Sequence, residues 1–289
     1  MKKEITALAK SLKISEIGFC GADFYLEKAK NEKKTAAFAS SDSKEAVLFG
    51  AKTVIVCAFA YYAGDAAGNI SLYARGRDYH KVVAEKLGKI CDFLGEKGYS
   101  AKAYADTGAL SERLLAKLSG LAFIGKNQMA INKRLGSYFF IGYVVTDCDI
   151  EPDGENTKTC IGCGKCVAAC PGGALLDGGF CEEKCLSYIT QKKGELTKAE
   201  KDAMIREGTI WGCDRCQRVC PHNEDVQLCE IEEFREDLIC NLDMNEDISG
   251  RQFSKKYKDR AFSWRGKGVL KRNYDTISCV KKSRNTHIK

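Results

Sequence analysis

Cys160-Ile-Gly-Cys-Gly-Lys-Cys-Val-Ala-Ala-Cys-Pro171 is answered further along the chain by Cys213-Asp-Arg-Cys-Gln-Arg-Val-Cys-Pro221. The first run has the spacing C-x2-C-x2-C-x3-C-P, in which three thiolates hold one [4Fe–4S] cluster and the fourth crosses to a second. The chain has only three prolines, and two of them directly follow Cys170 and Cys220. There the fixed φ and the missing N–H end the local turn. Zinc, the other ion that dense thiolates select, needs paired C-x2-C knuckles and neither the third close cysteine nor the Cys-Pro ending. The spacing therefore points to iron–sulfur chemistry.

Counting ligands connects the two runs. Cys160, Cys163 and Cys166 take one cluster with Cys220, while Cys170 leaves to join Cys213 and Cys216 on the other. That second cluster still lacks a thiolate, and Cys181 or Cys185 must supply it. Cys20, Cys57, Cys91, Cys148, Cys229, Cys240 and Cys279 fall outside the pattern and read as free thiols.

The bulk composition fits this reading. A chain of 289 residues that is 44% hydrophobic and 29% charged is that of a soluble globular protein with room for a sizeable core. The segment opening at Met1 has no apolar run for a signal or a membrane span, so the sixteen cysteines are expected to be reduced in the cytoplasm rather than paired in a secreted scaffold. The net charge of +7 is concentrated at one end. Residues 251–289 carry 13 Lys and Arg against Asp259 and Asp275 alone, which marks a basic tail.

Ahead of the cysteines, segments alternate. Residues 1–14 have helical spacing at Ile5, Leu8 and Leu12; Ile17-Gly-Phe-Cys-Gly reads as a brief strand; residues 28–43 read as a helix followed by a loop. Thr53-Val-Ile-Val-Cys-Ala-Phe-Ala-Tyr is a continuous apolar run suited to a strand covered on both faces. Val82, Val83, Leu87, Ile90 and Leu94 mark one side of a helix of about twenty residues. Short strands follow at residues 101–104 and 137–145. Asp106-Thr-Gly-Ala-Leu-Ser-Glu-Arg opens a helix with a Leu110, Leu114, Leu118, Leu121 stripe. Asp106 there is either a functional group at a strand end or, with Thr107, a helix cap. Glu112 and Arg113 read as an ion pair that orients the segment. The expected organisation is an α/β or α+β domain over residues 1–150, a ferredoxin-like double-cluster domain over 151–229, and a C-terminal extension over 230–289 that is basic from residue 251.

Taken together, Tyr73-Ala-Arg-Gly-Arg-Asp-Tyr-His-Lys, Asp106-Thr-Gly-Ala-Leu-Ser-Glu-Arg, Gly120-Leu-Ala-Phe-Ile-Gly-Lys-Asn, the first cysteine run, Cys185-Leu-Ser-Tyr-Ile-Thr and Gly212-Cys-Asp-Arg-Cys-Gln-Arg-Val-Cys-Pro occur in the order seen in epoxyqueuosine reductases. The chain resembles that family from about residue 10 to Asn273. The resemblance implies a cobalamin-dependent, iron–sulfur enzyme that reduces epoxyqueuosine to queuosine at the wobble position of tRNA with a GUN anticodon. It further implies an N-terminal cobalamin-binding reductase fold shared with reductive dehalogenases. Asp106 would be the proton donor; Gly125, Lys126, Asn127, Ser187, Tyr188 and Thr190 would lie against the corrin; and Cys185 would be the missing cluster ligand, leaving Cys181 spare. An external low-potential electron donor and a monomeric state are expected with it. A general acid near pH 7 needs a pKa about three units above the aspartate reference of ~3.9, so its site must disfavour the carboxylate by roughly 4 kcal/mol.

Two features depart from the family pattern. Ala109 stands where proline is usual, which is expected to relax the helix start. The chain also reads as a short form without the family's C-terminal helical-repeat domain, so the basic tail is expected to help hold tRNA, with Trp264 either stacking on a base or anchoring the tail. The rival readings are a corrinoid iron–sulfur reductase of a small molecule and a ferredoxin-like electron carrier with no substrate of its own.

Overall fold

The computed structural model of the chain describes residues 1–31, 50–176 and 179–285. It divides into two compact units. Unit 1 comprises residues 1–61, 79–161 and 225–232, and unit 2 comprises 62–78, 162–224 and 233–289.

Unit 1 is built on a four-stranded sheet in the order β1-β2-β6-β3, with β1 Glu16–Gly21, β2 Thr53–Ala60, β3 Ala101–Ala105 and β6 Phe139–Thr146. Every pairing in it is antiparallel. The unit is thus α+β, and the continuous apolar run of β2 has a different cause from parallel pairing. All eight β2 residues are buried because the strand is central and has helices on both faces. Helix α3 (Tyr79–Glu96) lays its Val82, Val83, Leu87, Ile90 and Leu94 stripe on β3 and β6. Helix α4 (Glu112–Leu118) packs on β1, β2 and β6. Gly142 of β6 lies directly under Val83 and Leu87, where a Cβ would collide with both, so this glycine sets how closely α3 approaches the sheet. Its neighbour Tyr143 points to the opposite face, as strand alternation requires. Helices α1 (Lys2–Ser11) and α2 (Ala22–Asn31) and the hairpin of β4 (Phe123–Ile124) with β5 (Ala130–Ile131) complete the unit. Of the helix and loop expected at 28–43, residues 28–31 end α2 and 32–43 lie outside the described residues.

Unit 2 holds short elements: α5 (Lys165–Ala169), the hairpin β7 (Leu175–Leu176) and β8 (Gly179–Phe180), α6 (Leu186–Gln191), α7 (Lys198–Glu207) and α8 (Arg215–Arg218). The capping box of Thr197 and Glu200 starts α7, the charged helix between the cysteine runs. Beyond the four-residue α9 (Glu232–Arg235) come α10 (Gly250–Lys256) and α11 (Gly266–Asn285).

The C-terminal extension is part of unit 2 for a specific reason. Asn273, with no exposed surface, donates from Nδ2 to the carbonyls of Thr190 at 2.7 Å and Ile210 at 2.8 Å. Arg272 donates to the carbonyls of Lys192 and Gly194. Residues 62–78 join the same unit through Asn69, which exchanges two side-chain hydrogen bonds with Leu242, and Ser71, which donates to Asp214 at 2.5 Å. No described helix is long and apolar enough to cross a membrane.

Candidate functional site

In unit 1 the chain turns at Asp106, immediately after β3, with φ +62°. This left-handed conformation is uncommon for a residue with a side chain, and aspartate is among the types that tolerate it. The carboxylate Oδ2 lies 3.0 Å from His80 Nε2, and its side chain is 52% exposed. His80 is held in turn: its ring stacks on Tyr79 at 4.0 Å, and Tyr79 stacks on Phe140 of β6 at 4.2 Å.

Neither Asp106 nor Thr107 caps a helix. Helix α4 begins at Glu112, and its N-cap is Ser111, whose Oγ accepts from Leu114 N–H. Residues 106–111 are a fixed loop, and Ala109 belongs to that loop rather than to a helix start. Its backbone is held at several points. Asp106 N–H donates to Glu112 Oε1 at 2.6 Å, Leu110 N–H to the Tyr143 hydroxyl at 3.3 Å, and Ser111 N–H to the Tyr25 hydroxyl at 2.7 Å. Gly108 passes so close to the Tyr143 hydroxyl that a side chain there would displace the tyrosine. Tyr143 also stacks on Tyr104, its cross-strand partner on β3.

Glu112 and Arg113 do orient the segment, but not as a pair. Glu112 accepts the Asp106 amide, while Arg113 donates to the Gln128 carbonyl at 2.8 Å. Burial pushes the Glu112 carboxyl up to about 7, and the nearby Asp106 charge adds to this; the Asp106 N–H, His80 and Arg113 pull the other way. Burial likewise raises the Tyr143 hydroxyl, which stays protonated at neutral pH. Sequence alone assigns no role to His80 or Tyr143, and pairs Glu112 with Arg113 rather than with the Asp106 amide; the one signal for His80 is its place within the Tyr73 motif as one of only three histidines.

The Gly125-Lys126-Asn127 segment is a tight turn closed on itself. Gly125 N–H donates to the Met129 carbonyl, Gln128 N–H to the Gly125 carbonyl, and Met129 N–H to Asn127 Oδ1. Asn127 is buried, and Lys126 is half-buried.

Unit 2 gathers the thiols. Helices α5 and α8, which carry Cys166 and Cys216, pack together. Burial raises the Cys216 thiol, and Cys213, Cys185, Cys170 and Cys166 are near enough to raise it further. Cys213 is pushed up to about 12 by burial, with Asp214, Glu207 and Cys185 adding to it; Cys185 is raised by burial and then by Cys170. Cys166, Cys170, Cys185 and Cys213 thus all lie near Cys216, and the described side chains do not form a ready-made group of three or more His, Cys, Asp or Glu that could hold a metal ion. Cys181 instead donates to the Glu183 carboxylate at 3.3 Å. Soft thiols are the donors that a [4Fe–4S] cluster takes, and the cost of ionising them in isolation is what bound iron removes.

Next to Cys185, Ser187 and Tyr188 face outward to different degrees, Ser187 half-buried and Tyr188 42% exposed. Thr190 is fully buried: its hydroxyl donates to the Ser187 carbonyl and accepts the Gly212 N–H, which ties α6 to the second cysteine run.

Two protein-family models match the chain: "Epoxyqueuosine reductase QueG, DUF1730" over residues 43–107, and "4Fe-4S double cluster binding domain" over residues 159–223. The latter takes in all nine cysteines between Cys160 and Cys220. The epoxyqueuosine reductase of Bacillus cereus is 32% identical, with 94% of this chain and 78% of the relative aligned. A structure of the Streptococcus thermophilus epoxyqueuosine reductase superposes with a TM-score of 0.83 at 32% identity, covering 96% of this chain and 80% of that one. An epoxyqueuosine reductase in complex with an epoxyqueuosine-modified tRNA-Tyr stem loop gives a TM-score of 0.81 at 30% identity, with the same coverage. A reductive dehalogenase shares the fold at a TM-score of 0.51 and 17% identity, over 97% of this chain and 36% of that one. With near-complete alignment to such relatives and both the Asp106 loop and the thiol group in place, the chain belongs to the epoxyqueuosine reductase family.

Proposed function

We propose that the chain reduces epoxyqueuosine to queuosine at the wobble position of tRNA, with Asp106 as proton donor. The observation that carries the assignment of Asp106 is its placement: an accessible carboxylate beside His80, on a loop whose amides are fixed by Glu112, Tyr143 and Tyr25. The net reaction takes up two electrons and two protons, and the epoxide oxygen leaves as water. Asp106 gives a proton to that oxygen as it departs, and His80 steadies the carboxylate that remains. The Asp106 side chain is half-exposed, so the groups bound over it must supply the desolvation that general acid catalysis requires.

Two cluster ligand sets are assigned: Cys160, Cys163, Cys166 and Cys220 for one, and Cys170, Cys185, Cys213 and Cys216 for the other. The second set is supported by the nearness of Cys185 to Cys170, Cys213 and Cys216 and by the engagement of Cys181 with Glu183. When bound, the clusters supply single electrons and cobalamin supplies a low-potential cobalt centre for reductive cleavage of the C–O bonds. Lys126, Ser187 and Tyr188 offer side chains for holding the corrin. Gly125, Asn127 and Thr190 contribute through the backbone they shape, because Asn127 and Thr190 are buried and hydrogen-bonded within their own units.

The substrate is tRNA with a GUN anticodon, and the basic residues of 251–272 add phosphate contacts. A cytoplasmic monomer served by an external low-potential donor completes the reading. The test is an anaerobic assay of the reconstituted protein on epoxyqueuosine-containing tRNA with a chemical reductant. Formation of queuosine supports it. Retention of cobalamin with no turnover on tRNA would favour a small-molecule substrate, and failure to bind cobalamin would favour an electron carrier.

A further inference from the structure

Trp264 is 59% exposed, whereas the residues that hold its turn in place, Ala261, Phe262 and Leu270, are buried. The indole is therefore not the anchor of the C-terminal segment. One of its faces is already covered: the Arg265 guanidinium carbon sits 3.7 Å from the ring centroid. Arg265 Nε is buried and makes no hydrogen bond, so this guanidinium is held by stacking rather than by a carboxylate. The residue nonetheless keeps more than half of its surface exposed.

The surroundings are positive. Helix α10, which packs against the same 261–265 turn, carries exposed Arg251 and Lys255, and exposed Lys258 follows it. Of the acids in this segment, Glu246 and Asp275 are engaged by Lys256 and Lys271, and Asp259 acts on Arg260. An exposed aromatic ring stacked on a cation, on a turn packed against a helix with exposed basic side chains, is the chemistry that takes an unpaired base along a phosphate backbone. A protein partner or a membrane would be met by a broader apolar surface than one indole provides.

The geometry points to Trp264 as a stacking platform for an unpaired nucleotide of the substrate RNA, with Arg265 fixing the ring and Arg251, Lys255 and Lys258 neutralising the adjoining phosphates. This rests on the tRNA reading above. It adds a contact made by the chain outside the Asp106 loop and the cysteine block.

The experiment is anaerobic binding of the reconstituted holoenzyme to an epoxyqueuosine-carrying anticodon stem-loop at several salt concentrations. Trp264→Ala is expected to weaken binding about tenfold or more, Trp264→Phe to retain most of the affinity, and neither to change the slope of log affinity against log salt. An Arg251→Ala/Lys255→Ala/Lys258→Ala variant is expected to flatten that slope. Because the other tryptophan, Trp211, is buried and donates to the Tyr73 hydroxyl, fluorescence quenching by the stem-loop but not by an RNA duplex reports on Trp264. Cluster absorbance and circular dichroism confirm that each variant is folded. Wild-type affinity in Trp264→Ala, or loss of cobalamin in that variant, overturns the inference while leaving the enzyme assignment intact. Failure of the wild-type protein to bind the stem-loop brings down the tRNA reading, and this proposal with it.

Discussion

The backbone N–H of Asp106 donates to Glu112 Oε1 at 2.6 Å, so the residue assigned to proton transfer is held by the first residue of the following helix. Glu112 is removed from solvent at some cost, and its carboxyl is raised from 4.5 to about 7. Because the folded value lies above the unfolded one, the folded state binds more protons between them, and stability falls as pH rises from about 4.5 to 7. Glu112→Gln keeps an oxygen to accept the Asp106 amide but cannot ionise. It should remove a pH-dependent loss on the order of 3 kcal/mol across that window. Denaturant unfolding of both proteins at pH 5 and pH 8 checks this; a difference between them that does not vary with pH would show that Glu112 is not the titrating group.

Asp106→Asn is the informative change at the residue proposed as proton donor. Asparagine also tolerates the left-handed backbone at φ +62°, so the loop should survive while the transferable proton is lost. Cluster content, cobalamin retention and stem-loop binding are expected to stay at wild-type levels, with turnover lower by about a hundredfold or more. Loss of cobalamin instead would assign the residue to holding the cofactor.

Cys185→Ser and Cys181→Ser separate the two readings that ligand counting leaves open. Cys185 shares its neighbourhood with Cys170, Cys213 and Cys216, and Cys181 is turned to Glu183. The first substitution should lose about half of the reconstituted iron and sulfide, and the second should keep both clusters. Equal iron content in the two variants would remove Cys185 from the ligand set.

Asn273→Ala tests the structural part of the C-terminal segment. The substitution leaves the buried carbonyls of Thr190 and Ile210 without the Asn273 amide, at a cost of roughly 2–4 kcal/mol. Thermal unfolding followed at the cluster absorbance should shift down accordingly, while charge-removing variants at Arg251 or Lys255 should leave it unchanged. A stable Asn273→Ala protein would show that α11 is not needed to brace the cysteine runs.

Much of this protein is legible in its sequence where contacts are local. The two cysteine runs and their Cys-Pro endings specify clusters because thiolates a few residues apart in a tight loop are also close in space. The apolar periodicities of α3 and β2 locate the core of unit 1 for a similar reason, since burial of one face or both is written into successive side chains. Tertiary structure alone decides the rest. The all-antiparallel order β1-β2-β6-β3 depends on pairings between distant strands. The Asp106 loop is set by hydroxyls from Tyr25 and Tyr143, which lie far from it in sequence and reach it only once the sheet has formed. The tail is divided in the same way: Arg272 and Asn273 turn inward to backbone carbonyls, while Trp264 stays in solvent. Sequence records which groups are present, but a buried carbonyl or an exposed ring face exists only after the chain has packed.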